Sequence, residues 1–158
     1  MNYSFKDYED AILARLASLG QPEGLLRELK GFAGEIVLSE TGLLLVLLNR
    51  FPAVLVEISE ATYTPGPHPF HTQEVTATLH VCSRSLRSQE EARGGDAGAY
   101  TILSELRRLL LGKTLAGDLS PLLLTNESKV GAGLTEANEY IVIYAAKYKF
   151  INSRIEEE

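Results

Sequence analysis

Three histidines and one cysteine are the side chains whose type and spacing could carry chemistry. His68 and His71 lie three residues apart, and His80 follows nine residues on. Imidazoles at that spacing, with Glu74 or His80 as a further donor, would hold a zinc ion if rigid elements fixed them. Their setting argues otherwise, because Thr64-Pro65-Gly66-Pro67-His68-Pro69 has the composition of an exposed turn. The plainer reading is two solvent-facing histidines at a loop tip and a third on the outer face of a strand. No metal site is expected.

Cys82, with His80 two residues before it on the same strand face, is the one candidate pairing of nucleophile and base. A reactive thiolate also needs a positive environment and a third group to orient the imidazole, and neither is evident. A half-buried structural thiol is the expectation. Gly112-Lys113-Thr114 carries the last three letters of a phosphate-binding loop. Arg107 stands where its first glycine belongs, however, and a helix rather than a strand precedes it. Gly94-Gly95 before a helix could bind an anion, but Asp96 suits that place better as a cap. Glu9-Asp10 and Glu90-Glu91 are adjacent carboxylates that do not face one another, so neither makes an acid–base couple. No catalytic residue and no cofactor are expected.

The rest of the composition narrows the class. A chain of 158 residues, 45% hydrophobic and 23% charged, has the size and balance of one globular domain. Its single cysteine excludes a disulfide scaffold, and its formal charge of −6 disfavours a general nucleic-acid binder. The most apolar run, Gly42 to Leu48, is far short of the ~20 residues that span a bilayer. Met1 to Asp10 has no signal-peptide character. A soluble intracellular protein is expected, acting without a membrane.

Ser4 to Leu19 predicts the first helix, capped by Ser4 with Asp7 three residues on, and buried through Phe5, Tyr8, Ile12, Leu16 and Leu19. Pro22 to about Lys30 reads as a short helix. Glu40 to Asn49, a short apolar run without periodicity, fits a buried helix or a buried strand, and its leucine content favours helix. Ala53 to Tyr63 and His71 to Arg84 read as two strands of a hairpin around the proline-rich tip. The second alternates, with Val75, Ala77, Leu79 and Val81 on one face. Extended, it would reach roughly 45 Å, against about 40 Å for a globule of this size. The hairpin must bend or project, and its prolines should fray the tip. A further helix, Ala97 to Leu111, follows the Asp96 cap, with Tyr100, Leu103, Leu106 and Leu110 as its stripe. Pro121 to Val130 and Asn138 to Ile151 complete the strands, joined through Gly131-Ala132-Gly133. Residues 152–158 read as a frayed acidic tail. The expected fold is a single α+β domain over 1–158, with a sheet of about four mostly antiparallel strands, a long β-hairpin and helices on one face.

Several stretches resemble one family. The segments YEDAILARL, GFAGEI and FPAVLVEI, and above all GAYTILSELRRLLLGKTLAGDLSPLLL from Gly98 to Leu124, look like the Mu-like phage and prophage tail-completion, or tail-terminator, proteins. The resemblance runs from about Tyr8 to Phe150 and lies in packing patterns. The tip Pro65 to Pro69 has no place in it. It implies a non-enzymatic α+β protein that closes the tail tube as a homo-oligomeric ring, commonly of six subunits, at the head–tail joint. Its partners would be itself, the tail tube and neck or head-completion proteins, with no specific nucleic-acid binding. Its place would be the host cytoplasm during assembly and then the virion tail. Under that reading the partner interface would draw on Pro65, His68, Phe70, Tyr144, Tyr148 and Phe150. The alternative is a cytoplasmic small-ligand or peptide-binding adaptor domain. A hydrolase built on His80 and Cys82 is a third class.

Overall fold

The computed structural model describes residues 2–20, 24–38, 44–48, 50–85, 98–135 and 140–156. Helix α1 spans Phe5–Arg15. The Ser4 hydroxyl accepts from the Asp7 amide at 3.1 Å, and the Asp7 carboxylate accepts from the Ser4 amide at 2.8 Å, the reciprocal cap the sequence predicts. The helix stops earlier than its periodicity suggests. A 3-10 turn, Ala17–Gly20, follows and swings Leu19 inward. Tyr8, Ile12 and Leu16 are buried, but Phe5 is 44% exposed because it precedes the turn that meets the sheet.

Seven strands form one mixed sheet: β1 Glu28–Gly31, β2 Ile36–Leu38, β3 Leu44–Val46, β4 Ala53–Pro65, β5 Phe70–Ser85, β6 Leu123–Thr135 and β7 Tyr140–Glu156. Helix α2, Ala99–Leu110, lies between β5 and β6 in the chain. The strand order is β1-β4-β5-β7-β6-β3-β2. The four central strands are the ones the sequence predicts, and they pair antiparallel throughout. The sheet is larger than expected because three short strands extend it. β1 lies parallel to β4, and the β2–β3 pair joins β6 through a short parallel ladder. The sequence predicts helix where β1 forms and favours it where β3 forms. Leu29 and Leu44 to Val46 are instead fixed by ladder partners distant in sequence, which outweigh helix propensity.

The connections explain other differences. Gly131, expected in a turn, lies within β6 opposite Ile143. A side chain there would meet Leu44 Cδ1 at 2.5 Å, so the Leu44 side chain of β3 lies over this position. β7 runs on to Glu156, and Asn152 is fully buried, so most of the segment expected as a frayed tail is sheet. Helix α2 starts after Gly98, which offers no side-chain cap; Asp96 lies outside the described residues. Its buried stripe is Ala99, Ile102, Leu103, Leu106 and Leu110, while Tyr100 points outward at 49% exposure. Gly112 ends it in the left-handed region at φ 76°.

Both helices cover one face of the sheet. There Val54, Val56, Val75, Ala77, Leu79, Val81, Val142, Ala146, Tyr148 and Phe150 meet Tyr8, Ile12, Ile102 and Leu106 in the main core. A smaller core, Val46, Phe51, Ala53, Cys82, Ile141 and Ile143, lies on the other face at one end. Its position follows from the topology. β1 and β2 occupy opposite edges of the sheet, yet the chain passes from Gly31 to Ile36, a reach of no more than about 17 Å. Laid flat, those edges would stand about 29 Å apart. The sheet therefore curls at this end until its edges nearly meet, and the small core fills the curl. Phe32, on the bridging segment, stacks on His80 of β5 at 4.5 Å and donates its amide to the Val56 carbonyl at 2.9 Å.

Candidate assembly surface

The hairpin tip is built tightly. The Phe70 amide donates to the Pro67 carbonyl at 2.8 Å, and the Gly66 amide to the Phe70 carbonyl at 3.2 Å. Pairing continues without fraying to Pro65 opposite His71. Proline is tolerated there because antiparallel partners alternate between bonded and non-bonded pairs. With Gly66 and Phe70 bonded, Pro65 falls at a non-bonded position, and its missing N–H would have pointed away from β5. Nor does the tip stand free. β5 is paired with β7 from Phe70 opposite Glu156 to Ser85 opposite Tyr140. Bulges at Ile58/Glu60 and His71/Gln73 bend the long strands around the body.

A buried polar network anchors the same end. The Tyr8 hydroxyl donates to Gln73 Oε1 at 2.5 Å and accepts from Asn152 Nδ2 at 3.3 Å, while Gln73 Nε2 donates to the Tyr63 hydroxyl at 2.9 Å. Burial raises the Tyr8 ionisation above its ordinary value. Asn2 clamps Glu156 through both its amide and its carbonyl oxygen. The Tyr3 hydroxyl donates to Asp118 at 2.6 Å, which raises the one pKa and lowers the other. Sequence reasoning missed this network. Its signal was a polar Gln73 and Asn152 on otherwise apolar strand faces.

The six residues expected at an interface are not brought together. Pro65 and His68 are exposed at the tip. Phe70 is half-buried, with the Arg154 guanidinium 5.7 Å from its ring centre. Tyr144 lies over α2, edge-on to Tyr100 at 5.7 Å. Tyr148 and Phe150 are inside the subunit core, at 0% and 1% exposure, with Phe150 packed edge-on against Tyr8 at 4.9 Å. They face the helices because β7 is apolar on both sides only where the small core also needs filling.

The candidate chemical groups are dispersed as well. His80 lies ~30 Å along β5 from His71. Its Nε2 is 2.9 Å from Glu57 Oε2 and its ring is stacked on Phe32. Among the described residues no three His, Cys, Asp or Glu side chains gather as metal ligands. Cys82 is fully buried, and loss of water pushes its thiol up to about 12, which keeps it in the unreactive protonated form. A groove of about 440 Å³ runs between α1 and the segment holding Leu115 and Leu119. Its polar groups, on Asn2, Tyr3, Asp7, Tyr8 and Asp10, are already engaged within the fold, Asp10 through its ion pair with Lys6.

Two lengths of strand edge remain. Beyond Val56, the outer edge of β4 has no ladder partner among the described residues, and neither has β6 between Leu124 and Ala132. The face away from the helices is polar here, with Glu57, Glu60 and Thr62 on β4, Thr76 and Thr78 on β5, and Lys147 and Lys149 on β7. Lys149 pairs with Glu74 at 2.5 Å. Among the described residues neither Glu60 nor Lys147 forms an ion pair.

Residues 4–151 match the family described as Bacteriophage Mu, Gp37. The chain belongs to that family and is a Mu-like phage protein. No curated protein matches it. Among the described residues no helix is long and apolar enough to cross a membrane.

Proposed function

We propose that this is a non-enzymatic structural protein of a phage or prophage tail, one that completes the tail tube as a ring at the head–tail joint. The observation that carries this reading is the family match over residues 4–151, joined to the likeness of Gly98–Leu124 to tail-completion proteins. Three features of the fold support it. The histidines lie apart, the thiol is held protonated, and the groove offers no free polar group to orient a small ligand. The last point also weighs against the adaptor alternative. Ring subunits, the tube and neck proteins are the partners, and the acidic balance suits a channel that passes DNA without adhering to it.

Sedimentation of the 158-residue chain at rising concentration, alone and with the tube protein of the same phage, tests the reading. Closed rings, free or seated on tube ends, are expected. A strict monomer under both conditions overturns it.

A further inference from the structure

We propose that copies of this chain join by continuing the sheet: the outer edge of β4, Glu60–Thr64, pairs antiparallel with β6, Asn126–Lys129, of the next copy. This rests on the ring reading above and names its contact.

Strand direction comes first. β4, β5, β7 and β6 are each antiparallel to the next, so the two free edges run in opposite directions. Copies related by rotation about an axis along the strands keep their directions, so β4 of one meets β6 of the next in the antiparallel sense. The two edges differ, which makes the contact head-to-tail, the type that closes into a ring when the rotation fits.

The backbone supplies the donors. The Gly66–Phe70 bond sets the alternation along β4, so Ala61 and Tyr63 turn their N–H and C=O outward, away from β5. Pro65, the next outward position, ends the ladder. On β6, bulges at Leu124/Asn126 and Lys129/Gly131 bound a regular run of similar length. Short edges limited by proline and bulges resist indiscriminate pairing, which leaves a specific partner.

Charge selects that partner. Glu57 and Glu60 make the β4 side of the polar face acidic, whereas Lys147 stands one strand behind β6 on the same face, opposite Asn126. A strand added outside β6 would run about 10 Å from Lys147, within the combined reach of lysine and glutamate side chains. Two β4 edges meeting about a two-fold axis would instead set Glu60 near its own copy, a like-charge contact. The partner of the β4 edge is therefore the β6 edge.

Hydrogen exchange of the concentrated, assembled chain against the dilute chain tests the contact directly. Amides of Ala61 and Tyr63, and those of Asn126–Lys129 that point away from β7, are expected to slow on assembly. Ala61→Pro removes an outward donor and no bond within the subunit. It should leave the melting temperature near that of the parent and weaken self-association roughly tenfold. Glu60→Lys and Lys147→Glu should each weaken association, and the double exchange should restore it. Rings in which both edges exchange freely, or which form unchanged in folded Ala61→Pro, overturn the contact while leaving the ring reading standing. If Ala61→Pro unfolds, the charge exchange and the exchange pattern decide alone. A chain that never associates removes both.

Discussion

The Tyr148 hydroxyl is buried without a hydrogen-bond partner among the described residues, and so is Glu127 Oε2, which has only the Arg107 Nε at 3.5 Å. Burial and the neighbouring Glu127 charge push the phenol's ionisation upward. Removing an unsatisfied hydroxyl relieves a desolvation penalty, so Tyr148→Phe should leave stability unchanged or raise it by about 1 kcal/mol in urea unfolding. Asn152 is the opposite case. Its amide donates to Tyr8, and its carbonyl oxygen accepts from the Arg154 amide at 3.1 Å. Asn152→Ala should cost about 1–3 kcal/mol in the same measurement. Cys82 adds a pH dependence. Its folded pKa of about 12 lies above the ordinary 9.0, so the folded state keeps a proton that the unfolded state releases. That contribution is complete below pH 9 and is lost as pH rises toward 12, with Tyr8 and Tyr148 acting in the same sense at higher pH. Urea midpoints should fall from about pH 9 upward, and a thiol reagent should label Cys82 only once the chain unfolds. The spacing of His68, His71 and His80 was readable in the sequence. The stacking of Phe32 on His80 was not, since it depends on a crossing that no local pattern encodes.

Among the elements, α1 and the hairpin were the most legible. Ser4 and Asp7 cap α1 as their spacing predicts, and Ser4→Ala should cost about 1 kcal/mol. The alternation from Val75 to Val81 placed all four side chains in the main core. Short apolar runs were misread wherever the partner strand lay far away in sequence, as for Leu44–Val46 against Gly133–Thr135. Tyr100 was misplaced because the buried stripe centres on Ala99, Ile102, Leu103, Leu106 and Leu110, which turns Tyr100 to its flank, edge-on to Tyr144. The tip was judged too fragile because proline was weighed without its pairing position. Replacing Pro65–His71 with a two-residue Asn-Gly turn, which closes on the bonded pair Thr64 and Thr72, should leave the subunit folded, by circular dichroism and melting, because the polar network beneath it is untouched.

For the molecule as a whole, closing the curl depends on close contact between β3 and β6. Gly131→Ala would meet the Leu44 side chain at Cδ1, the far end of a half-buried leucine that can turn aside. It should cost no more than about 1 kcal/mol in urea unfolding, and Gly117→Ala, which meets open space, should be near neutral. The curl also governs how the chain must fold. β1 finds β4, and β3 finds β6, only after long stretches of intervening chain have been ordered. Contacts so remote in sequence slow folding, into the range of milliseconds to seconds for such topologies. The hairpin of β4 and β5, whose partners are local, can form early and offer β7 a template. The β2–β3 pair, held to the rest by a few parallel bonds, would then arrive last and leave first. Stopped-flow refolding with pulsed deuterium labelling should show protection appearing in β5 well before β3. A nascent subunit would thus expose the seam beside Leu44 and Gly131 for longer than any other part of its core.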